Sequence, residues 1–132
     1  MIPPRFPISE QQIESVVAEF YGLIRRHPAL GPVFANHVDD WPGHEAKIAR
    51  FWKNAILFQR VYDGNPMAAH LQAGDVRPGM FAPWLGLFDS VLERQLPAET
   101  AAAWSALAHR IGSALRYGLL DEGPRNRTPS LR

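Results

Sequence analysis

Four stretches of this chain repeat apolar residues every three or four positions, and none alternates them for long. That spacing gathers apolar side chains on one face of a helix, whereas a half-buried strand needs a period of two. In the first stretch Ile13, Val16, Val17, Phe20, Tyr21 and Ile24 hold helical register. Ser9 followed by Gln12 has the form of a capping box, and Glu10 suits the first turn. Arg25, Arg26 and His27 suit the last turn, and Pro28 ends it. A helix is therefore predicted over about residues 10–26.

Leu30-Gly31-Pro32-Val33-Phe34 reads as a tight corner and one short helical turn, with Gly31 biased away from helix by the proline after it. Asp39 or Asp40 can cap the next helix, with Pro42 in its first turn. His44, Ile48, Phe51 or Trp52, Ala55 and Ile56 face inward along it as far as about Gln59. A third long helix is predicted from Met80 to Gln95 on Phe81, Trp84, Leu85, Phe88 and Leu92. A fourth begins at Pro97 and carries Ala101, Trp104, Leu107, Ala108, Ile111, Ala114 and Leu115. Between Gln59 and Gly79 only Pro66–Leu71 reads as helix, with Pro66 in its first turn and His70 one turn later. So long a connection is foreign to a plain helical bundle, and extra loop length is often functional. The expectation is an all-α protein with residues 1–8 as an N-terminal extension, 9–120 as one domain and 121–132 as a disordered tail.

Composition closes off several chemistries. Without cysteine there are no disulfides, no thiolate catalysis and no cysteine zinc site. A formal charge of +1, from 14 basic and 13 acidic residues, gives no general attraction to nucleic acid. No apolar run approaches the ~18 residues of a membrane span. The opening Met1-Ile2-Pro3-Pro4-Arg5 lacks a basic-then-apolar signal pattern, so a soluble cytoplasmic protein with no membrane partner is expected. Ser90 and Ser105 stand outside any Gly-x-Ser-x-Gly motif, and no phosphate-cradling glycine loop is present.

Three residues on otherwise core-like stripes carry hydrogen-bond donors: Tyr21, His44 and Trp84. Singly, each has an ordinary reading as a packing tyrosine, a half-exposed histidine or a core tryptophan. Together, three donors facing one apolar space suit a small, partially negative ligand better than an empty core. His70 is open between a satisfied surface residue and an axial ligand to a haem iron. A non-haem metal enzyme using His37, Asp40 and His44 is a second reading, although no His-Glu-x-x-His or comparable ligand spacing occurs. A structural or interaction domain without cofactor is a third.

The order and spacing of several pieces are more specific than any one of them. Phe20-Tyr21, Leu30-Gly31-Pro32-Val33-Phe34, Trp41-x-x-His44-x-x-Lys47-Ile48-x-x-Phe51-Trp52, Tyr62-x-Gly64-Asn65-Pro66-Met67-x-x-His70 and Trp84-Leu85-x-Leu87-Phe88 together resemble the third group of the truncated haemoglobins, over about residues 10–119. The resemblance implies a shortened globin, a two-over-two helical sandwich around haem b (iron protoporphyrin IX). It implies His70 as proximal iron ligand, with Tyr21, His44 and Trp84 lining the distal side. Phe34, Phe51, Trp52 and Phe81 fall where the family packs aromatics near the haem. Several relatives carry a histidine beside the phenylalanine that opens the third long helix, where this chain has Met80-Phe81. Lys47 and Arg77 are therefore the expected propionate anchors. Dioxygen, carbon monoxide and nitric oxide are the implied ligands. His44 can swing in to donate or swing out to open a path from solvent, and its place in the first turn after a flexible corner favours the gate. Nitric oxide dioxygenase or peroxidase-like turnover is conceivable only with an external reductase, since these residues include no flavin reductase segment. A monomer or weak dimer is expected.

Overall fold

The computed structural model describes residues 2–125. Helices α1 (Glu10–Arg26), α2 (Leu30–Ala35), α3 (Trp41–Leu57) and α4 (Pro66–Ala73) come first. A single 3-10 turn at Pro78–Met80 then leads into α5 (Phe81–Gln95) and α6 (Ala98–Arg125). There is no strand among the described residues, and the fold is all-α as the apolar periods require. None of the described helices is long and apolar enough to cross a membrane.

Two helix pairs make the body. α1 packs on α3, α5 packs on α6, and α1 also lies against α5, so two layers of two helices enclose the core. The buried face of α1 consists of the six residues in helical register, Ile13, Val16, Val17, Phe20, Tyr21 and Ile24. Its capping box is formed on both sides by Ser9 and Gln12. At the centre, Trp52 stacks on Phe88 with ring centroids 5.6 Å apart, and Phe88 stacks on Trp84 at 5.5 Å. Trp104 closes edge-on against both Trp52 and Phe88. Each aromatic pair adds about 0.5–1.5 kcal/mol beyond area burial, and the stack fixes where α3, α5 and α6 meet. Polar ties brace the outside: Lys53 of α3 donates to Glu14 of α1 at 2.6 Å, and Arg94 of α5 pairs with Glu19 of α1.

Several expectations need correcting. Gly31, read as biased away from helix, lies inside α2. A Cβ there would sit 2.9 Å from the Arg25 carbonyl oxygen, so only glycine lets α2 turn back this tightly against the end of α1. Its bare Cα also relieves much of the crowding that a following proline imposes on larger residues. Residues 72–79 are not all loop, because α4 continues to Ala73 and ends at Gly74 with φ 81°. The last helix reaches Arg125, beyond the expected boundary at 120, since extending an already packed helix is far easier than starting one. The remainder of the expected tail lies outside the described residues.

The N-terminal segment is no mere extension. Phe6 is a core residue, and the Arg5 amide donates to the Ile56 carbonyl at 2.9 Å. Arg5 Nε donates to the Ala55 carbonyl at 2.7 Å, and its guanidinium lies over the Phe58 ring. These contacts satisfy carbonyls at the end of α3, where Phe58 holds a left-handed φ of 60°. Arg5→Ala removes the side-chain bond and the ring contact but keeps the backbone bond. The expected loss is about 1 kcal/mol, read as a lower urea midpoint at unchanged slope. An unmoved midpoint would show that the Arg5 side chain contributes nothing.

Candidate functional site

A cavity of about 350 Å³ opens between the two helix pairs and α4, within the ~300–1,000 Å³ typical of small-molecule pockets. Tyr21, His44, Trp84, Phe34, Phe51, Trp52, Phe81, Lys47 and His70 all line it. Arg77 does not; its guanidinium donates to the Gly74 carbonyl at 3.3 Å. The walls from α6 are Ala108, Ile111, Gly112 and Leu115. These lining roles were hidden, because an apolar stripe reads alike whether it faces a core or a ligand.

One wall is set by a short helix built for a single side chain. Asn65 caps α4 by accepting from the Ala68 amide at 3.1 Å, and Pro66 takes the first helical position. His70 then stands one turn on, and its Nδ1 lies 2.6 Å from the Pro66 carbonyl oxygen. A carbonyl oxygen can only accept, so Nδ1 carries a proton, and in the tautomer that coordinates a metal the lone pair is on Nε2. The ring is flanked by Phe81, with centroids 5.9 Å apart. The result is an imidazole oriented by its second nitrogen, as metal-ligating histidines are.

The other wall carries donors. Tyr21 and His44 come from α1 and α3, neither of which packs closely on α4. Tyr21 is only 3% exposed, and burial, aided by the Glu45 carboxylate, pushes its phenol well above the usual range. Its hydroxyl therefore remains a protonated donor. His44 sits edge-on to Tyr21 at 4.9 Å, with Phe34 and Trp41 also against it. Burial lowers its pKa first, and nearby Lys47 lowers it further, so the ring is neutral at pH 7. His44 Nε2 is buried with no hydrogen-bond partner. Leaving such an atom unpaired costs about 1–3 kcal/mol, and here it belongs to a ring that lines the cavity. Trp84 is held by stacking on Phe88 and by the edge of Phe20.

The non-haem metal reading does not survive. His37 Nε2 is bound to Asp75 at 2.7 Å, while Asp40 caps α3 by accepting from the Gly43 amide at 3.1 Å. No group of three or more metal-ligating side chains converges among the described residues. Proximity in sequence misled here, because the Asp40 carboxylate is needed to start a helix.

No family model matches the chain. Over 89 residues it is 33% identical to the group 3 truncated hemoglobin ctb of Campylobacter jejuni, a match covering 64% of this chain and 70% of the relative. It superposes on the crystal structure of the group III truncated hemoglobin from Campylobacter jejuni with a TM-score of 0.79 at 28% identity, covering 88% of this chain and 94% of that one. The chain belongs to the group 3 truncated haemoglobins.

Membership makes it a globin haem protein, which sets aside the cofactor-free helical domain. The residues fit the group that the family implies. His70 has Nδ1 committed to the Pro66 carbonyl and so its Nε2 available to a metal, the His44 and Tyr21 side chains line the same space, and the walls between are aromatic and aliphatic. Lys47 is the cationic side chain on the lining, and it suits a cofactor carboxylate. The truncated haemoglobin fold thus keeps polar groups at the wall and at the rim, with apolar surface elsewhere.

Proposed function

We propose that this truncated haemoglobin holds haem b through His70 and reversibly binds dioxygen, and also carbon monoxide and nitric oxide, beside Tyr21, His44 and Trp84. The observation that carries the reading is the pairing of two imidazoles on one cavity. His70 has Nδ1 committed to the Pro66 carbonyl, and His44 has a buried Nε2 with nothing to bond. When bound, haem supplies the iron chemistry that takes up and releases a diatomic gas.

The protein's part is orientation and polarity. His70 holds its lone pair at a fixed angle because its ring cannot turn without losing the Pro66 bond. Tyr21 is the first donor to a bound gas, since it stays protonated and is packed against Phe20, Phe34 and His44. Trp84 is the second donor, its indole locked by the Phe88 stack. His44 is the gate, sitting in the first turn of α3 just past the α2 corner. The aromatic walls exclude water from the gas and strengthen each hydrogen bond made to it.

His70→Ala is the deciding variant. The wild type is expected to purify with a haem Soret band that shifts on reduction and again with carbon monoxide, and His70→Ala to lose that spectrum. A variant with unaltered spectra would end the reading.

In stopped-flow measurements, Tyr21→Phe should raise the oxygen dissociation rate roughly tenfold or more, since a charge-assisted hydrogen bond is worth about 1.5–3 kcal/mol. An unchanged rate would remove Tyr21 from that role.

His44→Leu should alter association rates more than dissociation rates, and the opposite pattern would count against the gate.

A further inference from the structure

The helix that carries the proximal histidine is weakly held. No residue of α4 is buried, and its main packing partner is α6. Its bonds are mostly local: Asn65 to Ala68, His70 to Pro66, Ala69 to Asn65, and Arg77 to Gly74. Among the described residues, Asp75 is the one member of 61–76 that hydrogen-bonds outside 61–77. Both of its carboxylate oxygens are engaged from the corner after α2. His37 Nε2 lies 2.7 Å from Oδ1, and Asn36 Nδ2 donates to Oδ2 at 3.2 Å. The His37 bond and then the Asn36 bond hold the Asp75 carboxyl below the usual range, so it is ionised at pH 7.

The placement of this pair gives it a further meaning. His37 and Val38 line the cavity on the α2 side, and Ala73 and Val76, flanking Asp75, line it on the α4 side. The bonds therefore run across the cavity rim and join its two walls. We propose that His37 and Asp75 form a clasp across the mouth of the cavity that slows escape of the cofactor by holding the α4 wall, and with it His70, against the α2 corner. They are positioning residues, and the proposal rests on the haem-protein reading above.

With side chains 40% and 35% exposed, the clasp is an exposed pair, and its effect is correspondingly moderate. Transfer of haem from the intact protein to an excess of a haem-scavenging apoglobin, followed by absorbance, reads it directly. His37→Ala and Asp75→Ala should each speed haem loss by about two- to fivefold. The double variant should lose haem no faster than Asp75→Ala, which by itself removes both the His37 and the Asn36 bonds. Haem loss at the wild-type rate in Asp75→Ala, or effects that multiply in the double variant, would overturn the clasp. Neither residue lies in the core, so both variants are expected to fold. The two ideas fail separately. A wild-type protein that takes up no haem sinks the parent reading, and a haem-loaded wild type with indifferent variants sinks the clasp alone.

Discussion

One hydrogen bond sets the terms for the whole site. Unless His70 Nδ1 donates its hydrogen bond to the Pro66 carbonyl, nothing decides which ring nitrogen faces the cavity. That bond in turn depends on Asn65 and Pro66 starting α4 where they do, because the carbonyl and the imidazole meet only at a spacing of one turn. A helix of eight residues with no buried side chain would not persist alone in water. It is defined instead by its cap, its proline and its lean on α6. The rest of the fold can be seen as the frame that keeps this small element facing Tyr21 and His44 across an apolar gap.

The opposite wall achieves rigidity by other means. Tyr21 and Trp84 sit on long helices whose neighbouring turns are in the core, and both are flanked by rings that restrict rotation. A donor so held needs little reorganisation when a partner arrives, which is what makes a hydrogen bond in an apolar pocket effective. His44 differs. Its nitrogen is unpaired in a ring boxed by aromatics, and its neutrality follows from burial and the cation of Lys47. Its buried Nε2 would gain a partner by moving.

The helices were legible because their apolar periods were long and their caps chemically distinct; Ser9 with Gln12 and the Asp40 cap are formed where the sequence has them. Part of the cavity lining, Tyr21, His44, His70 and Trp84 among it, followed from reading donors on core-like faces and from the family resemblance. What escaped depends on distance in the chain. Nothing local marks His37 as the partner of Asp75, 38 residues away, or shows that Phe6 and Arg5 dock on the end of α3. Arg77 illustrates the converse: a cation near the site in sequence turns to the nearby Gly74 carbonyl. Gly31 escaped for a steric reason, since the rule for residues before proline presumes a Cβ that this corner has no room for.

The aromatic stack has a consequence for how the molecule looks under ultraviolet light. The chain has four tryptophans, and Trp52 and Trp84 border the cavity directly. Trp104 meets Trp52, and Trp41 meets His44, each across a single ring contact. All four indoles thus lie within reach of energy transfer to a porphyrin seated there. A filled pocket should leave the protein nearly dark, and emission should return as the pigment departs.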